Sequence, residues 1–150
     1  MTLSEELSWR GFLNQTTFAD IAELDTETRT FYWGVDPSAD SMTVGHLAPA
    51  MMIWHFINHG YRPILLVGGA TGMIGDPDGK RQERDLKSTD EVQKNVAGLT
   101  QQYKRIFQGQ TFELVDNMDW FKNINYLDFL RNIGKHVSLT QMLDREFVQS

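Results

Sequence analysis

The segment 63–67 is a short, unbroken apolar run, PILLV, that stops at two glycines. A run of this length that ends at glycine is typical of a strand buried in a parallel sheet. Two further segments predict strands: 29–35, which is aromatic and β-branched, and 111–115. Parallel strands need long crossover connections, which are usually helices. Helical segments between these strands would therefore indicate an α/β fold.

Helical patterns occupy both intervals between these strands. Segment 47–58 is almost entirely apolar and is followed by Gly60, so we expect a helix that is buried on most sides. Ser88 and Glu91 match a capping box, and the apolar residues behind them recur at spacings of four and three. Shorter helices are predicted at 3–13, at 126–133 before Gly134, and from a cap formed by Ser138 and Gln141 onwards. The alternation of strands and helices predicts a parallel sheet of the α/β class.

Composition excludes several kinds of protein. The chain has 150 residues, the size of one domain, and no cysteine. It therefore has no disulfide scaffold, thiolate zinc site or cysteine nucleophile, and it fits a reducing cytoplasm. No apolar run reaches the ~20 residues that span a membrane. The net charge of -6 predicts that any contacts with RNA lie mostly elsewhere.

Zinc binding is not indicated either. Of the four histidines, His55 and His59 stand four residues apart, but they do not form an HExxH pattern. We interpret them as residues at the surface of a helix or at the edge of the core, and we predict no metal site in the protein.

The loop after the first predicted strand is polar and directly precedes a helix. In open α/β sheets, ligands bind at such strand ends, and a helix start suits phosphate. Gly45 lets a phosphate or ribose approach the backbone, and His46 can donate to a phosphate oxygen. The polar side chains and the glycine are Asp36, Ser38, Asp40, Thr43, Gly45 and His46. Each residue alone is more typical of a capping loop, and their joint occurrence makes a nucleotide site an equal alternative.

The loop after the second strand, GGATGMIGDPDGK, contains five glycines and leads into three cations. It is neither a Walker A motif nor GxGxxG, because Arg81 replaces Ser/Thr and Ala70 interrupts the second pattern. Lys80, Arg81 and Arg84 could hold a leaving pyrophosphate, whose charge grows in the transition state. Asp76 could pair with a ligand ammonium or simply begin a turn.

Two segments, FYWGVDPSADSMTVGHL and RPILLVGGATGMIGDPDGKRQER, resemble the catalytic domain of bacterial tyrosyl-tRNA synthetases, which are class I aminoacyl-tRNA synthetases. The resemblance extends from LSWRGFLNQTT to NIGKHVSLTQML. It implies that residues 1–150 are the N-terminal part of a Rossmann-like catalytic domain, a parallel sheet flanked by helices. It also implies activation of L-tyrosine with ATP, followed by transfer of the tyrosyl group to tRNA. Magnesium would arrive with the ATP, and no tightly bound cofactor is expected.

The resemblance assigns roles to individual residues. The family signature His-Ile-Gly-His falls on residues 43–46, where Thr43 replaces the first histidine and keeps one hydrogen bond without its charge. Trp33 stands where some members have a small residue near the ribose, which implies packing or an altered ribose contact. Tyrosine-binding roles fall on Tyr32 and Asp76, catalytic roles on Thr43, His46, Lys80 and Arg84, and ATP-binding roles on Gly34, Asp36, Ser38, Gly45 and His46.

The resemblance further implies that a later helix with tyrosine contacts, the KMSKS loop and the anticodon-binding region are absent from this sequence. We therefore expect the 150 residues alone to bind ATP or tyrosine weakly and to aminoacylate tRNA poorly or not at all. A homodimer through segment 126–143 is expected at full length. The alternatives are a tryptophanyl-tRNA synthetase, another nucleotidyltransferase with the same loop, and a non-catalytic ATP-binding or dimerising module.

Overall fold

Strands and helices alternate along the chain in the predicted order. The computed structural model describes residues 1–74 and 87–140. The strands are β1 (Thr30–Val35), β2 (Arg62–Val67) and β3 (Glu113–Asp116). The helices are α1 (Leu3–Trp9), α2 (Leu47–Asn58), α3 (Thr89–Ile106), α4 (Met118–Phe121) and α5 (Tyr126–Asn132). Short 3-10 turns occupy Ile21–Asp25, Val44–His46, Thr71–Met73 and Gly134–His136.

The three strands form a parallel sheet in the order β1-β2-β3. Trp33 aligns with Leu65, and Leu66 aligns with Val115. Crossovers between parallel strands are right-handed, so two successive steps in one direction place α2 and α3 on the same face. Both helices join the sheet in one buried cluster of Val35, Ala50, Ile53, Leu65, Val67, Leu99, Tyr103 and Phe107. The predicted α/β class is confirmed.

Burial of the central strand differs between its two faces. Leu65 and Val67 point into the cluster and are buried, whereas Ile64 and Leu66 are only partly covered. The prediction of a buried strand therefore holds for one face. The reason is topological, because both crossover helices cover the same side of the sheet.

The prediction that α2 is buried on most sides is wrong. Only Ala50 and Ile53 of this helix are buried, and Leu47 is 50% exposed. Helix α2 contacts the sheet and α1, so its remaining side meets solvent. An apolar composition without clear periodicity did not identify which side that is.

Helix α3 is capped by Ser88 at its start, which is one half of the predicted capping box, whereas the Glu91 carboxylate pairs with Lys87. The backbone N–H of Glu91 donates to the hydroxyl of Ser88 at 3.2 Å. Val92, Leu99 and Tyr103 form the predicted apolar stripe, and all three are buried. The hydroxyl of Tyr103 reaches the sheet backbone, where it donates to the carbonyl oxygen of Leu66 at 3.3 Å. Burial raises the pKa of the Tyr103 phenol above its usual range.

The N-terminal residues form a second buried cluster of Leu3, Leu7, Leu24 and Tyr61. The Tyr61 hydroxyl fixes this segment to the sheet by donating to the carbonyl oxygens of Leu24, at 2.7 Å, and Glu27, at 3.1 Å. Helix α1 ends at Trp9 and not at residue 13. Gly11 interrupts it with a φ of 73°, in the left-handed region that glycine favours.

Three other boundaries differ slightly from the predictions. Strand β3 begins two residues later than expected, and α5 ends at Asn132. Gly134 does not cap α5 with a positive φ but begins the 3-10 turn Gly134–His136. The predicted cap partner Gln141 lies outside the described residues. Over the two described ranges, no helix has the length and apolar character needed to cross a membrane.

Glu6 joins α1 to the end of α2 through His55 and His59, and it also pairs with Arg10, which follows α1. Its carboxylate lies 3.1 Å from Nδ1 of His55, from Nε2 of His59 and from the guanidinium of Arg10. The hydrogen bond with His59 lowers the pKa of Glu6, and Arg10 and His55 lower it further, while burial acts in the opposite direction. His55 and His59 thus lie at the core edge, as predicted.

We expect Glu6→Gln to reduce the free energy of unfolding at neutral pH, and to reduce it less in acid. The folded protein holds the pKa of Glu6 below 4.5, so the stabilisation is complete above that value and is lost as pH falls through the folded pKa. Urea denaturation from neutral pH to about pH 3 measures the difference. Glu27→Gln is the control, because Glu27 forms an exposed pair with Arg29. A difference for Glu6→Gln that stays constant with pH would contradict the prediction.

Candidate functional site at the strand ends

A cleft of about 600 Å³ opens at the C-terminal ends of the strands. Six of the residues singled out from the sequence line it: Tyr32, Trp33, Gly34, Asp36, Ser38 and His46. The sequence interpretation missed seven further lining residues: Val35, Pro49, Leu66, Thr71, Asn117, Trp120 and Phe121. The first loop and the start of the second loop therefore meet at one edge of the sheet, as the strand-end rule predicts.

Strand β1 supplies one wall of the cleft through its alternating side chains. Tyr32 is 73% exposed and projects from the open face of the sheet, with its phenol available to a ligand. Trp33 packs against Tyr103 of α3, with ring centroids 5.4 Å apart and an interplanar angle of 82°. This contact fits the packing role predicted for Trp33, but Trp33 also lines the cleft, so the altered ribose contact stays a prediction.

His46 is oriented by Thr43 at the start of α2. The backbone N–H of Thr43 donates to Nδ1 of His46 at 3.1 Å, and the Thr43 hydroxyl oxygen lies 3.0 Å from the same nitrogen. Because a backbone N–H can only donate, Nδ1 is an acceptor and the proton of the neutral ring is on Nε2. Nε2–H is therefore the ring's donor for a ligand.

Thr43 and Gly45 stand beside the cleft rather than among the described residues that line it. The phosphate contact predicted for Thr43 therefore stays a prediction, as does the backbone approach at Gly45. Asp76, Lys80 and Arg84 lie outside the described residues, so their predicted roles stay predictions as well.

Helix α3 holds the first loop with two amide side chains. Asn95, which is 4% exposed, donates from Nδ2 to the carbonyl oxygen of Pro37 at 3.0 Å. Gln102 accepts the backbone N–H of Met42 at 2.6 Å. Residues seven apart lie on the same face of a helix, so one face of α3 fixes both ends of the loop that carries Ser38.

Gly98 lies between these two amides on α3. A Cβ atom at this position would overlap the carbonyl oxygen of Asp40. Glycine is unfavourable in a helix interior by about 1 kcal/mol relative to alanine. Its presence here allows the backbone of the first loop to touch the helix.

The ends of β2 and β3 are joined by two polar residues, Asp116 at the end of β3 and Asn117 directly after it. Asp116 accepts the backbone N–H of Gly69 at 3.1 Å, and Asn117 accepts that of Ala70 at 2.7 Å. A signal for them was present, because two polar residues directly after a predicted strand belong at the same sheet edge as the other loops. The predicted strand ended at residue 115, and no role was assigned to these two residues.

No group of three His, Cys, Asp or Glu side chains in residues 1–74 and 87–140 is arranged to hold a metal ion. The cleft instead offers hydroxyl, carboxylate and imidazole groups beside the start of a twelve-residue helix, α2. A helix start favours anions, and hydroxyl and N–H groups can donate to phosphate oxygens.

The sequence matches a family model described as tRNA synthetases class I (W and Y) over residues 24–150. The chain belongs to this family. The parallel sheet with its flanking helices is accordingly the class I synthetase catalytic fold, as the sequence resemblance implied.

Named relatives of this family match the whole chain. It is 47% identical to the tyrosine–tRNA ligase of Staphylococcus carnosus and 46% identical to that of Levilactobacillus brevis, over 99% and 100% of its length. The chain spans 36% and 37% of those proteins, which is about a third of their length. Among solved structures, a C-terminally truncated mitochondrial tyrosyl-tRNA synthetase of Aspergillus nidulans matches with a TM-score of 0.81 and 28% identity. That match covers 99% of this chain and 46% of the other.

We expect Gly98→Ala to lower the free energy of unfolding by about 1–3 kcal/mol, because the added methyl group overpacks the contact with Asp40. Without that contact, the same change in a helix would stabilise the protein by about 1 kcal/mol. Urea denaturation measures the sign. Ala97→Gly, at the exposed neighbouring position of the same helix, gives the ordinary glycine–alanine difference. A Gly98→Ala variant that is more stable than the wild type would rule out the predicted close contact.

Proposed function

We propose that this chain forms part of the active site of a tyrosine–tRNA ligase. The enzyme activates L-tyrosine with ATP to tyrosyl-adenylate and then transfers the tyrosyl group to the 3′ end of its tRNA. The main support is the convergence of Tyr32 with Asp36, Ser38 and His46 in one cleft. A phenol that can recognise a substrate tyrosine thereby lies beside groups that suit a nucleotide. The relatives named tyrosine–tRNA ligases support the same proposal.

In the proposed first step, the carboxylate of tyrosine attacks the α-phosphate of magnesium-bound ATP and pyrophosphate leaves. The step needs little acid–base chemistry from the protein, because both reactants carry their own reactive groups. Catalysis then depends on positioning and on stabilising the charge that develops. His46 serves this step through Nε2–H, which is the ring's donor because Thr43 occupies Nδ1. Ser38 adds a hydroxyl, and the start of α2 adds a favourable dipole.

The remaining assignments follow the family pattern. Asp76 receives the α-ammonium group of tyrosine, and Lys80 and Arg84 contact the pyrophosphate. Gly34 and Gly45 let the nucleotide approach the backbone, and Thr43 contributes through its hydrogen bonds to His46. These roles are supported by the matching positions in the sequence and by the chemistry of each side chain.

Selection of tyrosine over phenylalanine rests on hydrogen bonds to the substrate phenol, one of them from Tyr32. A site built to bind a hydroxyl group rejects the analogue that lacks it, because the buried partners are then left unpaired. Tyr32 is 73% exposed in the cleft, so a bound tyrosine would have to bury its hydroxyl group for this discrimination to operate.

We propose that transfer RNA contacts lie mainly outside these 150 residues, because the chain carries a net charge of -6. We also propose that the enzyme works in the cytoplasm. Proteins of this reducing compartment generally lack disulfides, and this chain contains no cysteine. Tryptophan is the second candidate substrate, because the matching family model covers both the W and the Y enzymes.

The proposal is tested by ATP–pyrophosphate exchange with tyrosine, with tryptophan and without an amino acid, using the natural polypeptide that contains this chain. We expect exchange only with tyrosine. In the same assay, Tyr32→Phe should reduce the preference for tyrosine over phenylalanine by about 0.5–1.5 kcal/mol, the contribution of a neutral hydrogen bond. Exchange driven by tryptophan alone would favour the second candidate, and an unchanged preference in Tyr32→Phe would remove Tyr32 from substrate recognition.

We also propose that the full-length enzyme is a homodimer, formed through α5 and the residues that follow it. Seven large apolar side chains between residues 126 and 139 are exposed, and among them Leu127 is 70% exposed. So many exposed apolar side chains within one short segment are typical of a protein interface. The polar residues of the segment then lie at its rim.

We expect Leu127→Glu to convert the dimer to a monomer, because an unpaired carboxylate in an apolar interface is costly. Sedimentation velocity of the natural polypeptide measures the change. Lys104→Glu, an exposed charge reversal on α3, is the control and should leave the dimer intact. A Leu127→Glu protein that remains dimeric would show that α5 is not the interface.

A further inference from the structure

Side-chain hydrogen bonds connect the loops that follow all three strands. Asp36 follows β1, Thr71 lies in the turn after β2, and Asn117 follows β3. The Thr71 hydroxyl lies 2.6 Å from Oδ1 of Asp36, and Nδ2 of Asn117 lies 3.1 Å from the Thr71 hydroxyl. All three residues line the cleft, but Asn117 is 4% exposed and Asp36 is exposed, so the carboxylate is the more accessible end of this chain of bonds.

The direction of these bonds follows from the chemistry of each group. Oδ1 of Asn117 accepts the backbone N–H of Ala70 at 2.7 Å, and that identifies it as the oxygen of the amide. The nitrogen Nδ2 can only donate, so the Thr71 oxygen accepts from Asn117. The single Thr71 proton has two acceptors within reach, Oδ1 of Asp36 at 2.6 Å and the carbonyl oxygen of Gly68 at 3.3 Å, and the shorter distance assigns it to Asp36. Asn117 therefore donates to Thr71, and Thr71 donates to Asp36.

Glycine at position 68 makes room for this arrangement. A Cβ atom there would overlap both Oδ1 of Asp36 and the hydroxyl of Thr71. Among the hydrogen bonds within residues 1–74 and 87–140, the one that the Asp36 carboxylate accepts from a side chain reaches Oδ1. Asp36 lines the cleft, and its Oδ2 has no donor among these residues.

We propose that Asn117 and Thr71 are positioning residues that hold the Asp36 carboxylate so that Oδ2 accepts a hydrogen bond from a donor group of the bound substrate. The donor is an O–H or N–H group, and both proposed substrates carry one: a ribose hydroxyl in ATP and the α-ammonium in tyrosine. The inference rests on the proposed function, because that function supplies these ligands. It goes further than that function, because it assigns an orientation to the Asp36 carboxylate and attributes this orientation to Asn117, acting through Thr71.

The test compares three variants in the natural polypeptide that contains this chain. Thr71→Val removes the hydroxyl at nearly constant shape, and Thr71→Ser keeps it. Asn117→Asp keeps an acceptor for the Ala70 N–H but replaces the donor with a second acceptor, which competes with Asp36 for the Thr71 proton. Thr111→Val, an exposed threonine beyond the opposite end of the sheet, is the control. Binding of ATP and of tyrosine is titrated separately, and KM and kcat are measured by pyrophosphate exchange.

We expect Thr71→Val to weaken binding of one of the two ligands about tenfold or more, as for a hydrogen bond to a charged group, and to raise its KM more than it lowers kcat. Thr71→Ser and Thr111→Val should stay within about twofold of the wild type. The ligand that loses affinity identifies the donor as ribose hydroxyl or ammonium. For Asn117→Asp, the loss should shrink as pH falls, because a protonated carboxyl can again donate to Thr71.

Three outcomes would overturn the inference. An unchanged affinity in Thr71→Val would show that Asp36 does not need the hydroxyl. Equal losses in Thr71→Val and Thr71→Ser, with both ligands affected alike and no pH dependence in Asn117→Asp, would show that the residues only support the loop. A wild-type protein that binds neither ATP nor tyrosine would refute the proposed function, and the inference with it.

Discussion

The parallel pairing of β2 with β1 on one side and β3 on the other is the constraint on which the cleft depends. Parallel strands end at the same edge of a sheet, so the three loops that follow them are brought together. Asp36, Thr71 and Asn117 are far apart in sequence, yet they form one hydrogen-bonded series at that edge. If β3 were antiparallel, Asn117 would lie at the opposite end of the sheet, and no local change could restore the contact.

Helix α3 combines two functions that usually belong to different elements. Leu99 and Tyr103 bury one side of it against the sheet. Asn95 and Gln102 bind the loop after β1 with side-chain amides. The helix that stabilises the core thus also fixes the wall of the cleft, so a substitution on α3 can alter ligand binding without touching a ligand.

The sequence predicted those elements that depend on interactions between neighbouring residues. The strand at 63–67 and the cap at Ser88 were predicted correctly, because the residues that determine a continuous apolar strand or a helix cap are adjacent in sequence. The position of Asn117 at the sheet edge had a signal in the sequence, but its hydrogen bonds did not. The contact of Gly98 had none. In both cases the partner is a backbone segment that is distant in sequence. Likewise, the side of α2 that is buried depends on the order of the strands in the sheet, and the apolar pattern of the helix does not predict that order. The prediction that Tyr32 belongs to the site was based on resemblance to the family. The sheet topology explains its position, because β1 ends at the edge where the cleft opens.

At Gly34, the surface of the cleft is formed by main chain, because this residue has no side chain. It lies between Tyr32 and Asp36, and a methyl group there would come within 3.3 Å of Leu66. The two polar side chains are four residues apart, or about 13 Å of extended chain. The strand therefore places a phenol and a carboxylate at opposite ends of a stretch of main chain that carries no side chain on this face of the sheet. A larger residue at position 34 would occupy the space between these two groups.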